Sequence, residues 1–259
     1  MRRCTECGYT RAWKLEDGRF KCRRCGRRYT WTTVWEASRL PTSTKRKLVE
    51  YFALGVPSYR IRFRDLASPP TIERFFRLIR AVLAYEEQCR EPFLGAVECD
   101  ETMFGGRRPG KRGWGAAGKV IVLGILKRNG QVRVFPVQGR SGAEIISLVC
   151  AHTRPGSLYY TDDWHAYASL AVRGDHIVVR KEGGRPKGRA HINGIEGFWS
   201  YAKHWLYPYR GVPRKFFHLY LGEVSFRFNH RDEDLFPLVL RLMKRVSVTD
   251  IKPILVRNS

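Results

Sequence analysis

Three apolar, strand-length runs follow one another with no helix between them: Phe93 to Asp100, Lys119 to Lys127 and Gln131 to Val137. The last two are joined through Asn129-Gly130, a pair favoured in two-residue hairpin turns. The period then changes. A helical pattern over Ala143 to His152 leads to a strand, Leu158 to Asp162; a second, Trp164 to Val172, leads to a strand, His176 to Lys181; a third, Ile192 to Leu206, follows. The order βββαβαβα describes an α/β chain, of the α+β type with a mixed sheet. Three carboxylates attach to this frame. Asp100, in Ala96-Val97-Glu98-Cys99-Asp100-Glu101, ends the first strand, and Asp162, in Leu158-Tyr159-Tyr160-Thr161-Asp162-Asp163, ends the fourth. Glu196, in His191-Ile192-Asn193-Gly194-Ile195-Glu196-Gly197-Phe198-Trp199, lies on the third helix. Carboxylates so arranged can converge on paired divalent cations and cut phosphodiesters.

The helix sharpens this reading. Glu196 and Lys203 are two turns apart on one face with Trp199 between them, so Glu196 can complete a metal cage while Lys203 reaches a phosphate. Asn193, one turn earlier, is a rival third ligand. Glu98 faces the same way as Asp100 on a regular strand and reads as an ordinary polar strand residue. His165, His191 and His204 read as packing residues. The succession of elements is similar to that of an RNase H-like domain.

Cys4-Thr5-Glu6-Cys7 and Cys22-Arg23-Arg24-Cys25 are two Cys-x2-Cys knuckles, each followed by a glycine. Each aims two thiolates at one point, and together they complete a tetrahedral zinc site. Arg11 to Leu15 and Gly18 to Lys21 read as short strands across an Asp17-Gly18 turn, a zinc ribbon whose small core leaves most of its stability to the metal. Its Arg23, Arg24, Arg27 and Arg28 suit DNA contact. Seven cysteines, an odd number, in a chain that reads as cytosolic argue against a disulfide scaffold, and Cys89, Cys99 and Cys150 read as small core residues.

Helical spacing recurs over Thr44 to Leu54 and Thr71 to Tyr85. Gly55-Val56-Pro57-Ser58 breaks the first helix and offers Ser58 as an N-cap, while Pro69-Pro70-Thr71 starts a later one. The pattern suits a helix-turn-helix-like module, with Arg74, Arg77 and Arg80 near one face available to DNA. Phe216 to Phe228 reads as a helix covering the core, and Leu235 to Val246 as an amphipathic helix offering an oligomer interface. The expected division is a zinc ribbon over 1–32, a helical module over 41–90, the catalytic domain over 91–234 and a C-terminal helix and tail over 235–259.

Forty-eight Lys and Arg against twenty-four Asp and Glu give a formal charge of +24, an excess that attracts a polyanion such as DNA. Basic glycine-rich loops at 105–115 and 181–189 are suited to gripping phosphates. No stretch approaches eighteen apolar residues, and Met1-Arg2-Arg3-Cys4 precedes no apolar region, so neither a membrane span nor a secretory signal is read.

Along almost its whole length the chain resembles the transposases of the IS1595 group, those with an ISXO2-like DDE domain. The matching segments are Val97-Glu98-Cys99-Asp100-Glu101-Thr102-Met103-Phe104-Gly105-Gly106, Thr161-Asp162, Asn193 to Lys203, and Tyr220-Leu221-Gly222-Glu223 followed by Phe226-Arg227-Phe228-Asn229-His230-Arg231, together with the four-cysteine ribbon. The resemblance implies an RNase H-like fold and a DDE transposase with Asp100, Asp162 and Glu196 as its acidic triad, followed by Lys203. It implies Mg2+ or Mn2+ at the triad and Zn2+ in the ribbon. Double-stranded DNA, as terminal inverted repeats and target, is the implied partner, with a homo-oligomer assembled on it in the prokaryotic cytoplasm at the nucleoid. Members vary at the third acidic position, which keeps Asn193 beside Glu196 as the candidate, and Asp163 stands where relatives often have glycine. The rival readings are an RNase H-like nuclease that cuts without joining, and a domesticated zinc-dependent DNA-binding protein without transposition activity.

Overall fold

The computed structural model describes residues 3–105, 118–128, 130–139, 141–180, 188, 190–209 and 211–256. Both basic loops read from the sequence fall largely outside these residues, as do Asn129 of the hairpin turn and Lys181 at the end of the last strand. The chain divides into two compact units, Met1–Gln88 with Asp232–Ser259, and Cys89–Arg231.

The first unit opens with a small antiparallel sheet, β1 (Ala12–Lys14), β2 (Phe20–Cys22) and β3 (Arg28–Tyr29). Phe20 and Tyr29 bury their rings against Cys4 and Cys22, a core too small to hold a fold alone. Helix α1 (Val34–Ala37) starts on a reciprocal cap: the Glu36 N–H donates to Thr33 Oγ1 at 3.1 Å and the Thr33 N–H to Glu36 Oε2 at 2.9 Å. Helix α2 (Thr42–Ala53) buries Leu48, Val49 and Phe52, and α3 (Pro69–Gln88) begins on its two prolines, whose missing N–H groups cost nothing in a first turn. Ser58 does not cap a helix as the sequence suggested. Its hydroxyl donates to Glu73 Oε2 of α3 at 2.5 Å. Arg80 is likewise corrected: it is 1% exposed, with its guanidinium 5.7 Å from the Phe52 ring centroid, whereas Arg74 is exposed. At 100° per residue, six residues turn a helix position by about 120°, which carries Arg80 off the face of Arg74 and onto the core.

In the second unit β4 (Ala96–Phe104), β5 (Val120–Lys127) and β6 (Val132–Val137) form an antiparallel run. Helix α4 (Gly142–His152) leads to β7 (Leu158–Thr161), and a 3-10 helix, His165–Val172, leads to β8 (His176–Val178). The sheet order is β6-β5-β4-β7-β8, with β7 parallel to both β4 and β8. Trp164 to Val172 was expected to be α-helical; its buried Tyr167 and Leu170 are three apart, the period of the tighter helix. Strand β4 also runs on past Asp100, pairing with β5 as far as Phe104 opposite Val120, so Asp100 stands inside a strand and not at its end.

Alternation along the strands divides the core. Val97, Cys99, Leu123 and Ile125 face α4 and the 3-10 helix, and Val122, Leu126 and Phe104 face α5 (Asn193–Leu206) and α6 (Phe217–Asn229). Of the three cysteines read as core residues, Cys99 is buried, Cys150 is half-buried and Cys89 is exposed; none of the seven is joined in a disulfide. The chain then returns to the first unit through α7 (Leu235–Arg245), capped by Asp234, and α8 (Val248–Val256). Helix α7 lies against α1, α2 and α3, burying Leu238, Val239, Leu242 and Met243, and α8 lies against α3. The apolar face of α7 that the sequence offered to an oligomer is therefore covered within its own unit. No helix among the described residues is long and apolar enough to cross a membrane.

Candidate functional site

The two knuckles bring four sulfurs together. Cys4 and Cys25 Sγ are 3.6 Å apart, Cys7 and Cys22 Sγ 3.5 Å, and all four lie within 4.8 Å of one another. A tetrahedral zinc with bonds near 2.3 Å needs sulfur separations of about 3.8 Å, so the donor set fits that ion. Each knuckle closes on a left-handed glycine, Gly8 and Gly26, whose N–H returns to the carbonyl oxygens of Cys4 and Cys22 at 3.0 and 3.1 Å. Desolvation opposes ionisation of Cys22, yet N–H donation from Cys25 and Arg24 and the neighbouring thiols bring it down to about 6. Against donation from the Arg27 N–H, desolvation and the other three thiols push Cys25 up to about 12. Four thiolates this close need a cation among them. Arg23, Arg24, Arg27 and Arg28 are all exposed around the cluster.

Asp100, half-buried on β4, pairs across the sheet with Gly124 of β5, and its Oδ2 accepts the Trp199 indole N–H of α5 at 3.0 Å. Gly124 permits that approach: a Cβ there would meet the Trp199 ring at 2.5 Å and Ile195 at 2.7 Å. Asp162 follows β7 directly. Since Glu98 is level with Tyr160 in the parallel register of β4 and β7, two further steps on each strand reach Asp100 and Asp162. The Asp162 Oδ1 accepts the Trp164 N–H at 3.1 Å, closing the turn that leaves the strand. Beside it the Thr161 hydroxyl donates to the Asp162 carbonyl at 2.7 Å and meets His176 Nε2 at 2.9 Å; desolvation holds this imidazole below its ordinary value.

Glu196 is half-buried in the first turn of α5, where its N–H returns to the Ile192 carbonyl at 3.1 Å; Asn193 and Lys203 are exposed on the same helix. Lys203 lines a cavity of about 930 Å³ with Tyr207, Tyr209, Arg214 and Phe217. Trp199 thus joins the helix of Glu196 and Lys203 to Asp100. Among the described residues the four cysteines are the group whose donor atoms are gathered within 4.8 Å, and Asp100, Asp162 and Glu196 do not form a second such group. Asp163 is exposed beside Asp162.

Sequence reasoning passed over Glu98. It is 1% exposed; its Oε1 accepts Arg128 Nε at 2.9 Å and its Oε2 accepts the Ile195 N–H at 2.8 Å. One carboxylate therefore satisfies a backbone donor of the first turn of α5 and neutralises a nearly buried arginine. Arg128 also donates to the His191 carbonyl and lies with its guanidinium 3.5 Å from the Tyr160 ring centroid. Gly194 makes room for the clamp, since a Cβ there would fall 2.8 Å from Glu98 Oε2. The available signal was a glutamate on the inward-alternating side of an apolar strand, matched by a glycine in the helix's first turn.

Two other residues of the quoted motifs also prove to be fastenings. Arg227 Nε donates to Glu223 Oε1 at 2.9 Å in the buried side of α6, with its guanidinium 4.3 Å from the Trp205 ring of α5. Asn229 meets both backbone groups of Val132, its Oδ1 accepting the N–H at 2.7 Å and its Nδ2 donating to the carbonyl at 3.0 Å. It thereby occupies part of the free edge of β6. On the other sheet face the Tyr167 hydroxyl donates to buried Glu101, and burial with the Glu101 charge pushes that phenol well above its usual range.

Compared with known proteins, residues 92–229, just over half of the chain, match the ISXO2-like transposase domain. An uncharacterized transposase-like protein of Haemophilus influenzae is 32% identical over 103 residues, 39% of this chain and 84% of that protein. An uncharacterized protein in transposable element ISH50 of Halobacterium salinarum is 23% identical over 216 residues, 76% of this chain and 73% of that protein.

Proposed function

The chain belongs to the ISXO2-like transposase family, and from that premise we propose that it is a DDE transposase of an insertion sequence, cutting the 3′ ends of its element and joining them to target DNA. The observation that carries the proposal is the succession of Asp100, Asp162 and Glu196 on β4, just beyond β7 and on α5, adjoining elements of one sheet-and-helix layer. The strand order β6-β5-β4-β7-β8, with one antiparallel and one parallel half, supports an RNase H-like reading of the unit.

Three carboxylates offer only hard oxygen donors, a set that suits Mg2+ or Mn2+ and not a softer metal. Asp100, Asp162 and Glu196 would hold the cations, which when bound lower the pKa of an attacking water or 3′-hydroxyl and stabilise the leaving oxygen. The chain's own part is placement. Trp199 donates to one oxygen of Asp100 and so orients its carboxylate; the Glu98–Arg128 clamp fixes the start of the helix bearing Glu196. Lys203, exposed two turns along, supplies a positive charge to a DNA phosphate. The ribbon, with zinc held by Cys4, Cys7, Cys22 and Cys25, carries four exposed arginines suited to the DNA backbone. Two ends must be brought together in transposition, so a dimer or larger assembly on the terminal repeats is part of the proposal.

The test is metal-dependent cleavage and strand joining on DNA carrying the gene's own flanking ends, with wild type compared to Asp162→Asn. Joining that is lost in the variant supports the transposase. Cleavage without joining points to a nuclease of the same fold, and zinc-dependent binding with neither activity to a domesticated DNA-binding protein.

A further inference from the structure

Between α2 and α3 the chain reads Ser58-Tyr59-Arg60-Ile61-Arg62-Phe63-Arg64, aromatic and arginine in alternation about one isoleucine. Ile61 is buried at 1% exposure, and the backbone turns on it twice: its N–H returns to the Ser58 carbonyl at 3.1 Å, and its carbonyl accepts the Arg64 N–H at 2.9 Å. The Ser58–Arg60 turn lies against α3 and is tied to it by the Ser58 hydroxyl on Glu73. Held from behind, the knuckle turns its rings outward, Tyr59 at 49% and Phe63 at 78% exposure. Burying a phenylalanine ring is worth about 1.5–3 kcal/mol, so a folded chain that fixes one in water forgoes that stabilisation.

The surrounding charge identifies what the rings can meet. Arg60 and Arg62 lie with their guanidinium carbons 5.8 and 4.6 Å from the Tyr59 and Phe63 ring centroids, and neither they nor Arg64 meet a carboxylate among the described residues. The carboxylates closest in sequence are Asp65 and Glu50, both exposed, and Glu73, which accepts from Ser58. A second copy of a chain of charge +24 would bring like charge to this patch. Three cations interleaved with two flat rings match a polyanion that also offers flat faces, and nucleic acid has both.

We propose that the Tyr59–Arg64 knuckle is a DNA-opening contact, with Phe63, flanked by Tyr59, stacking on bases exposed at an unpaired step while Arg60, Arg62 and Arg64 hold the adjoining phosphates. An apolar ring inserted at a base step requires that the step be unstacked, so the contact selects DNA already opened or easily opened. The proposal rests on the reading of the chain as a DNA-processing transposase and adds a base contact within the ribbon-and-helix unit.

The experiment uses the full zinc-loaded chain and two fluorescein-labelled 24-mer duplexes of the same sequence, one fully paired and one with a central two-nucleotide mismatch, followed by anisotropy across a salt series. The wild type is expected to prefer the mismatched duplex about tenfold, within the range of one base–aromatic stack. Phe63→Ala should abolish that preference and leave affinity for the paired duplex unchanged. Arg60, Arg62 and Arg64 changed together to Ala should reduce the slope of log affinity against log salt by about two to three on both duplexes. Equal preference in wild type and Phe63→Ala, or an equal loss by Phe63→Ala on both duplexes, overturns the stacking contact. A wild type that sediments as a larger species than Phe63→Ala without DNA overturns it in favour of self-association. If the wild type binds neither duplex at any salt, the DNA-processing reading itself fails, an outcome distinct from binding without preference.

Discussion

Glu98→Ala is expected to loosen the start of α5 more than its single carboxylate suggests. The change leaves Arg128, with only 15% of its side chain exposed, without an anion, and the buried Ile195 N–H without its acceptor at 2.8 Å. Breaking a buried ion pair from one side costs about 3–5 kcal/mol, because the remaining charge stays desolvated. Glu98→Gln keeps an oxygen for the Ile195 N–H and loses the charge, a loss of about 1.5–3 kcal/mol. Removing the guanidinium as well, in Glu98→Ala with Arg128→Met, takes away the stranded charge, so the double variant should cost less than the sum of its singles. Because the chain has two units, a single unfolding midpoint does not describe it, and hydrogen exchange read by mass spectrometry over residues 191–199 is the suitable assay. Protection of that peptide should fall about a hundredfold or more in Glu98→Ala and by less in Glu98→Gln. Wild-type protection in Glu98→Ala, or strict additivity in the cycle, would refute the clamp.

Two shorter predictions concern the thiol cluster and a stacked histidine. Native mass spectrometry should find one zinc per wild-type chain and essentially none in Cys22→Ser, and a chelator that strips the ion should expose Phe20 and Tyr29, whose core lies against the ligands. His152 lies 4.3 Å from the Phe135 ring, and desolvation, then the Arg133 charge, hold it at about 4 against an ordinary 6.5. The unfolded chain therefore takes up a proton near pH 6.5 that the folded chain refuses. Its contribution is constant above that pH, and stability is lost as pH falls toward about 4. His152→Phe keeps the stacking and should reduce the difference in urea resistance between pH 7 and pH 5, with His176 still contributing; an unchanged difference would show that the imidazole does not titrate as described.

What the sequence disclosed and what it hid follow from distance along the chain. The cysteine cluster was legible because both pairs of ligands sit within four-residue turns, each closed by its own glycine. The succession of strands and helices could be anticipated from the change of period after Val137, and Asp100, Asp162 and Glu196 could be assigned to the first strand, the end of the fourth and the last helix of that succession. Glu98 escaped because its partners are contributed from 30 and 97 residues away, and on its own strand it resembles any inward polar residue. Arg80 misled through periodicity read too loosely, since steps of three drift around a helix. The face of α7 misled in the opposite sense: its amphipathic pattern was real, but the surface that covers it comes from α1, α2 and α3, which end at Gln88, before the whole of the second unit. A hydrophobic stripe records that something will cover it and not what.

The return of α7 and α8 to the helices before Gln88 has a consequence for biogenesis. Synthesis proceeds from the N-terminus, and domains tend to fold as they emerge. Here the whole of Cys89–Arg231 must leave the ribosome before α1, α2 and α3 can receive the helices that cover them. The sheet-bearing unit can therefore mature while α1, α2 and α3 still lack the helices that pack against them and stay open to chaperones or proteases. A nascent chain interrupted near Arg231 would carry every proposed acidic residue in a complete Cys89–Arg231 unit while the helical unit of the same chain had not closed.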